Sequence, residues 1–245
     1  MNFARTLPAS SIVPRPWSIC GQAPVQLRLA AYDVASFDST MFAQAGVAQP
    51  ASITKAVARR QAAFFYGRLC AQAALAALGV HGVSVGTGPQ REPLWPQGVI
   101  GSITHSGDLA GAVALPASRY RGVGIDIERY ADDSALGAIE DVVLNRGELA
   151  FLRAHGATLG DAALLSVAFS AKESFYKAVF GVVQRIFDFN AIEIDALDID
   201  ALDIGQGTIG FTLTETLCDD WRCGARGQAG FDLLGDRHVL TGVLW

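Results

Sequence analysis

An α+β fold in two loosely similar halves is predicted by three features of this sequence. Two long helical stretches, Ser52–Leu78 and Leu159–Phe180, are each followed by short strand-like runs. The halves join near Gly122, close to the middle of 245 residues. Apolar residues make up 51% of the chain and charged residues 18%, enough to bury a sizeable core. No clear sequence repeat links the halves, so their likeness lies in element order alone.

The elements follow in order. Residues 1–24, rich in Pro and Ser, read as an irregular opening segment. Val25–Tyr32 alternates as a strand does, and Phe37–Gln49 reads as loop or short helix. Ser52–Leu78 is helical, with Ser52 or Thr54 to cap it and Gly79 to end it. Arg60 and Arg68 fall close to two turns apart on that helix, with Phe64 between them. Gly67 is a weak helix former, so its place points to close approach of a backbone or a ligand. Val80–Val85 is a short predicted strand. The breaker-rich loop Gly86–Gly98 projects Arg91 and Trp95. Strands are predicted at Val99–Thr104 and Leu109–Leu115, with His105 just after the first.

Gly122–Glu128 is predicted as a strand with Val123, Ile125 and Ile127 on one face. Asp126 and Glu128 then share the other face, roughly 7 Å apart. Two carboxylates on one side of a buried strand repel each other unless a positive group sits between them. Asp132–His155 reads as helix. The following helix carries Phe169-Ser170-Ala171-Lys172-Glu173-Ser174-Phe175-Tyr176-Lys177. Ser166, Ser170, Glu173 and Lys177 lie along the edge of its apolar arc, whereas Lys172 falls inside that arc. Strands are predicted at Phe187–Ile194 and Thr208–Thr214, then a hairpin around Gly235-Asp236 joins Phe231–Leu234 to His238–Val243. Asp195–Asp203 lacks the glycine and spacing of a calcium loop and reads as a solvated edge.

Composition excludes several classes. A net charge of -5 argues against a general nucleic-acid binder. The four cysteines form no Cys-x-x-Cys pair and read as free, mostly buried thiols in a reducing compartment. Met1–Ser18 has no apolar signal core, and no run reaches the roughly 18 apolar residues of a membrane span. A soluble cytoplasmic protein is expected.

Asp126, Glu128 and Glu173 form a hard-oxygen set suited to Mg²⁺, with Mn²⁺ as the alternative. Lys172, Lys177, Arg60, Arg68, Arg91 and His105 supply positive groups. Such a combination handles a phosphate ester or pyrophosphate. Neither a phosphate-binding Gly-x-x-x-x-Gly-Lys loop nor a dinucleotide Gly-x-Gly-x-x-Gly unit is present.

Taken in order, Gly67-Arg68, Arg91–Pro96, Gly101–Ser106, Gly122–Glu128 and Phe169–Lys177 resemble the motifs of the 4'-phosphopantetheinyl transferases. The likeness is to the larger, surfactin-type class and its siderophore-associated, enterobactin synthase component D-like branch. Phe169 stands where many relatives have tryptophan, and Thr104 where many have serine.

The resemblance implies an intramolecular pseudodimer of two α+β subdomains, residues 1–121 and 122–245, with coenzyme A at their junction. It implies transfer of phosphopantetheine from coenzyme A to a serine of an apo acyl or peptidyl carrier protein, releasing 3',5'-ADP. Asp126, Glu128 and Glu173 match the Mg²⁺ ligands of the family. Lys177, with Lys172, matches phosphate contacts, and Thr104 and His105 match the pair at the nucleotide 3'-phosphate. Arg91 and the helix residues Arg59, Arg60 and Arg68 match further basic positions, with the choice between Arg59 and Arg60 open. The base for the carrier serine is Glu148, Glu173 or a metal-bound water. No nucleic-acid or membrane partner is implied, and a monomer is expected. The competing readings are a metal-dependent nucleotide or pyrophosphate hydrolase and a non-catalytic carrier-binding homologue.

Overall fold

The computed structural model describes residues 12–201 and 203–245. They form two compact units. The first comprises β1 (Ile12–Trp17) and Val25–Arg119, and the second Ser18–Pro24 and Tyr120–Trp245.

In the first unit β2 (Val25–Ala31) pairs antiparallel with β1. Two single-turn helices follow, α1 (Met41–Gln44) and α2 (Ala51–Thr54), then the long α3 (Ala58–Ala77). A two-residue ribbon, β3 (Gly86–Thr87) with β4 (Pro93–Leu94), leads to β5 (Val99–Ser106) and β6 (Leu109–Pro116). The sheet order is β1-β2-β6-β5. Helix α3 lies on one face, where Ala62, Phe65, Tyr66 and Ala71 share a core with Ala110, Ala112 and Ala114 of β6. Short alanine side chains on both partners let helix and sheet approach closely.

The second unit contains β7 (Val123–Arg129), α4 (Asp133–Ala138), a π-helical turn at Ile139–Val143 and α5 (Arg146–His155). The long α6 (Asp161–Val183) follows, then β8 (Ile192–Ile199), β9 (Gln206–Leu213), β10 (Arg226–Leu234) and β11 (His238–Leu244). All neighbours in the order β7-β11-β10-β9-β8 run antiparallel. Gly124 brings α6 against β7, since a Cβ there would lie 1.9 Å from the Ser174 carbonyl oxygen. Gly122 does the same beside the Ala178 carbonyl, at 2.2 Å.

The two units share a connectivity. In each, the strand before the long helix (β2, β7) lies beside the last strand (β6, β11), which pairs with the one before it (β5, β10). Antiparallel sheets with a helix on one face make both units α+β.

Some elements depart from the sequence expectation. Of the predicted irregular segment, residues 1–11 lie outside the described residues, and Ile12–Trp17 is a strand. Ser52–Leu78 is broken, because Val57 is extended (ψ 153°). The Gln61 amide donates to the Ala56 carbonyl, 2.8 Å, one of the groups the break frees. Asp132–His155 breaks at Leu144, and Asn145 starts α5 with a reciprocal capping box to Glu148. Val80–Val85 is not a strand. β8 lies later than predicted and takes in Asp195 and Asp198, both exposed on a sheet-edge strand. Outward acids on an edge discourage pairing with another chain.

Candidate active site

Each unit carries one cluster of unusual polar groups. In the first, a cavity of about 350 Å³ is lined by Ser52, Arg60, Phe64, Arg68, Arg91 and His105, among others. Arg68 is 6% exposed, and no carboxylate pairs with it among the described residues. Its Nη2 donates to the Gly86 carbonyl and to Thr87 Oγ1, both at 3.0 Å. The guanidinium stacks over Phe64 at 4.7 Å, and its buried Nε–H has no acceptor. Burial first, and the neighbouring Arg60 second, lower its pKa to about 10, so the group stays cationic at neutral pH. A buried cation held only by neutral acceptors leaves its charge for a ligand.

Arg60 Nη1 lies 3.1 Å from His105 Nε2. A guanidinium can only donate, so His105 accepts there, and a neutral ring carries its proton on Nδ1. Arg91 has a left-handed backbone (φ 70°), strained for a residue with a Cβ. The turn holding it is closed by Arg91 N donating to Gly88 O (3.0 Å) and by Gln90 N donating to Glu92 Oε2 (2.9 Å).

Arg59 and Arg60 are placed differently. Arg60 lines the cavity; Arg59 does not, and acts electrostatically on Tyr32 instead. Thr104 does not line the cavity. Alternation along β5 sets it on the face opposite His105, where it is buried away from this cavity. Gly67 is explained by packing, since a Cβ would sit 2.9 Å from Ile103 Cγ2.

The second cluster lies between β7 and α6. Asp126 is 3% exposed. Lys177 Nζ donates to its Oδ1 at 2.5 Å, and Ser170 Oγ to its Oδ2 at 2.9 Å. Ser170 also meets Thr241 Oγ1 at 2.9 Å, and Thr241 meets Ser174 Oγ at 2.7 Å. An ionised carboxylate has no proton to give, and each hydroxyl has one. The donors therefore run Ser174 to Thr241 to Ser170 to Asp126. This relay was only partly legible: Ser170 sits on the helix edge in sequence, but Thr241 is brought opposite Asp126 by the β7–β11 register.

Glu173 lies one helical turn before Lys177. Burial raises its pKa, Lys177 opposes the rise and Asp126 adds to it. It lines a second cavity of about 320 Å³, together with Val142, Tyr176, Ile186 and Phe189. Glu128 is half-buried at the end of β7.

Two residues leave the predicted site. Lys172 is 2% exposed and Glu148 1%, and they pair at 2.7 Å. Lys172 Nζ also donates to the carbonyls of Val143, Phe189 and Ile192 at 3.0, 3.1 and 3.2 Å. Glu148 Oε1 accepts from Ile194 N at 2.9 Å, and Oε2 from Asn145 N at 2.8 Å. Neither phosphate contact by Lys172 nor base catalysis by Glu148 fits such saturated, buried groups. Asn145-x-x-Glu148 is a capping-box pattern, a sequence signal that marks Glu148 as structural. Burial lowers the Lys172 pKa, and Glu148 works against that fall.

Among the described residues, no three His, Cys, Asp or Glu side chains are arranged to hold a metal ion. Asp126, Glu128 and Glu173 are thus not a preformed cage. The cysteines are free, as expected, but Cys70 alone is buried and Cys223 is exposed. No helix among the described residues is long and apolar enough to cross a membrane.

Comparison with known proteins fits this arrangement. The profile of the 4'-phosphopantetheinyl transferase N-terminal domain matches residues 48–115. That of the 4'-phosphopantetheinyl transferase superfamily matches residues 122–231. The chain is 34% identical over 197 residues to 4'-phosphopantetheinyl transferase Npt of Nocardia iowensis, covering 79% of this chain and 86% of that one. Enterobactin synthase component D of Salmonella typhi is 40% identical over 120 residues, 49% of this chain and 48% of its own. 4'-Phosphopantetheinyl transferase PptT of Mycobacterium tuberculosis is 35% identical over 142 residues, 58% of this chain and 61% of its own. The chain belongs to the 4'-phosphopantetheinyl transferase superfamily and is a transferase.

Proposed function

We propose that this protein transfers 4'-phosphopantetheine from coenzyme A to a serine hydroxyl of an apo acyl or peptidyl carrier protein. The observation carrying this reading is the buried Asp126, fixed by Lys177 and Ser170, with the desolvated Glu173 beside it. In the reaction the serine oxygen forms a bond to the β-phosphorus of the pyrophosphate, and the bond to the departing 3',5'-ADP breaks. The serine proton goes to Glu173, whose burial makes it a stronger base than an exposed carboxylate. Lys177 donates toward the phosphates and holds Asp126 in place.

In the first unit, Arg60, Arg68, Arg91 and His105 hold the nucleotide end of coenzyme A, its 3'-phosphate above all. The unpartnered Nε–H of Arg68 supports an anion there.

Magnesium is commonly held by one or two carboxylates and completed by substrate phosphates. Asp126 and Glu173, whose pKa the neighbouring Asp126 helps to raise, are fitting donors, and Glu128 is a third at the strand end. A bound Mg²⁺ would offset charge on the leaving pyrophosphate. Likeness to enterobactin synthase component D favours a carrier from siderophore or other secondary-metabolite synthesis. A monomer in the cytoplasm is the accompanying expectation.

The test is incubation with apo carrier protein, coenzyme A and Mg²⁺, followed by mass spectrometry of the carrier. A gain of phosphopantetheine is expected. Asp126→Asn should cut the rate by about a hundredfold or more, with the circular dichroism of the wild type. Coenzyme A consumed without carrier modification would make the protein a hydrolase. Binding of carrier with no turnover would make it a non-catalytic homologue.

A further inference from the structure

The buried Lys172–Glu148 pair ties together five separate segments. Through Lys172 Nζ it joins α6 to the end of the π-helical turn at Val143, to the turn at Phe189 and to the first residue of β8, Ile192. Through Glu148 it adds the start of α5 at Asn145 and the next turn of β8 at Ile194. All of Lys172's polar partners are thus internal, and its charge is balanced within the fold.

Those same segments build the cavity that Glu173 lines. Val142 comes from the π-helical turn, Phe189 from the turn before β8, and Ile192 from β8 itself. Lys172 is the residue just before Glu173 on α6 and lines the inner end of the same cavity. The outer wall is apolar and exposed, with Val142 65% and Ile186 76% accessible. Besides the pair, the wall meets α6 through apolar contacts, Phe189 with Phe169 and Phe187 with Phe175 and Tyr176, which are less directional than its hydrogen bonds. A π-helical turn and a short 3-10 turn are weakly self-supporting.

We propose that Lys172 and Glu148 are positioning residues: they fix the wall of the cavity beside Glu173, so that the group seated there meets Glu173 in reactive geometry. The inference rests on the transferase reading for its kinetic consequence but not for its structural one. It differs from a phosphate contact, which would act on nucleotide affinity, and from a purely stabilising pair, whose effect on rate would follow stability.

Three variants test it: Lys172→Met, Glu148→Gln and the apolar double variant Lys172→Met/Glu148→Leu. Replacing a buried ion pair by apolar groups of similar volume is often neutral for stability, whereas breaking it on one side is costly. Tm, kcat for carrier modification and the affinity for 3',5'-ADP are measured for each. The expected result is that the double variant recovers much of the Tm lost by the single ones. Its kcat nevertheless stays about a hundredfold down, the scale of a misplacement near 1 Å. Affinity for 3',5'-ADP stays within about twofold of wild type. Recovery of kcat along with Tm would overturn the proposal, and so would a loss of 3',5'-ADP affinity with kcat intact.

Hydrogen exchange gives a readout independent of activity. In the double variant, amides of residues 139–145 and 186–194 should exchange faster than in wild type, while those of α3 should not change. Unchanged exchange in the first two segments would overturn the proposal. A wild-type protein that modifies no carrier would refute the transferase reading alone, leaving this exchange comparison to decide the positioning role.

Discussion

The long helices α3 and α6 each bury a cation, and they treat it in opposite ways. Arg68 on α3 is held by a carbonyl, a hydroxyl and a phenyl face, with one N–H unmatched. Lys172 on α6 meets a carboxylate and three carbonyls. From sequence both are basic residues in an apolar helix, and both look like anion ligands. The difference teaches that burial of a cation does not mark a ligand site. What matters is whether its charge is already balanced inside the fold. Lys177, one turn beyond Glu173 and partly exposed, is the α6 cation that stays near solvent.

Three experiments would break or sharpen that comparison, beyond those already described. The largest effect concerns how each helix is seated. Gly124→Ala sets a methyl 1.9 Å from the Ser174 carbonyl oxygen, on the backbone of α6. It should lose stability at or beyond the top of the usual range of about 1–3 kcal/mol for overpacking. Gly67→Ala meets only the end of the Ile103 side chain at 2.9 Å, which can turn aside. Its loss should be smaller, and the helical propensity of alanine over glycine, about 1 kcal/mol, works in its favour. Urea denaturation of both variants measures the gap; equal losses would mean that the two seats are equally tight.

Next comes Arg68→Met. Loss of a charged hydrogen-bonding group should weaken 3',5'-ADP binding by about 1.5–3 kcal/mol, read by calorimetry. Stability should hold or rise, since an unpaired buried charge is removed. Lys172→Met should do the reverse, losing stability and keeping nucleotide affinity. Matching behaviour of the two variants would erase the distinction between them.

The smallest effect is in pH dependence. Glu173 has its pKa raised by burial. Between its unfolded and folded values the folded state therefore binds more protons, and stability falls as pH rises through that window. The cost is absent below about pH 4, the unfolded value, and fully present above the folded one. With a chelator present, Glu173→Gln should thus be more stable than wild type at pH 7. Near pH 4 the two should converge. A difference that is the same at both pH values would remove burial as the cause of the shift.

The sequence by itself determined the α+β class, the two long helices and most strands. It could do so because the apolar periods were strong and because Gly122-Val123-Gly124-Ile125-Asp126 reads as a strand with one helix-facing side. In sequence Glu148 reads as a candidate base, and only the structure shows it as the capping-box partner of Asn145. The tertiary structure alone decided which charges face a cavity and which face one another. Arg60 rather than Arg59 lines the cavity of the first unit, Thr104 turns away from it, and Lys172 points inward to Glu148. Thr241 joins Asp126 only through strand register. The physical reason is that charge balance depends on partners 20 or more residues away, such as Lys172 with Glu148 or Asp126 with Lys177. Local pattern sets which face of a helix is buried; only the packed neighbours set what that buried face meets.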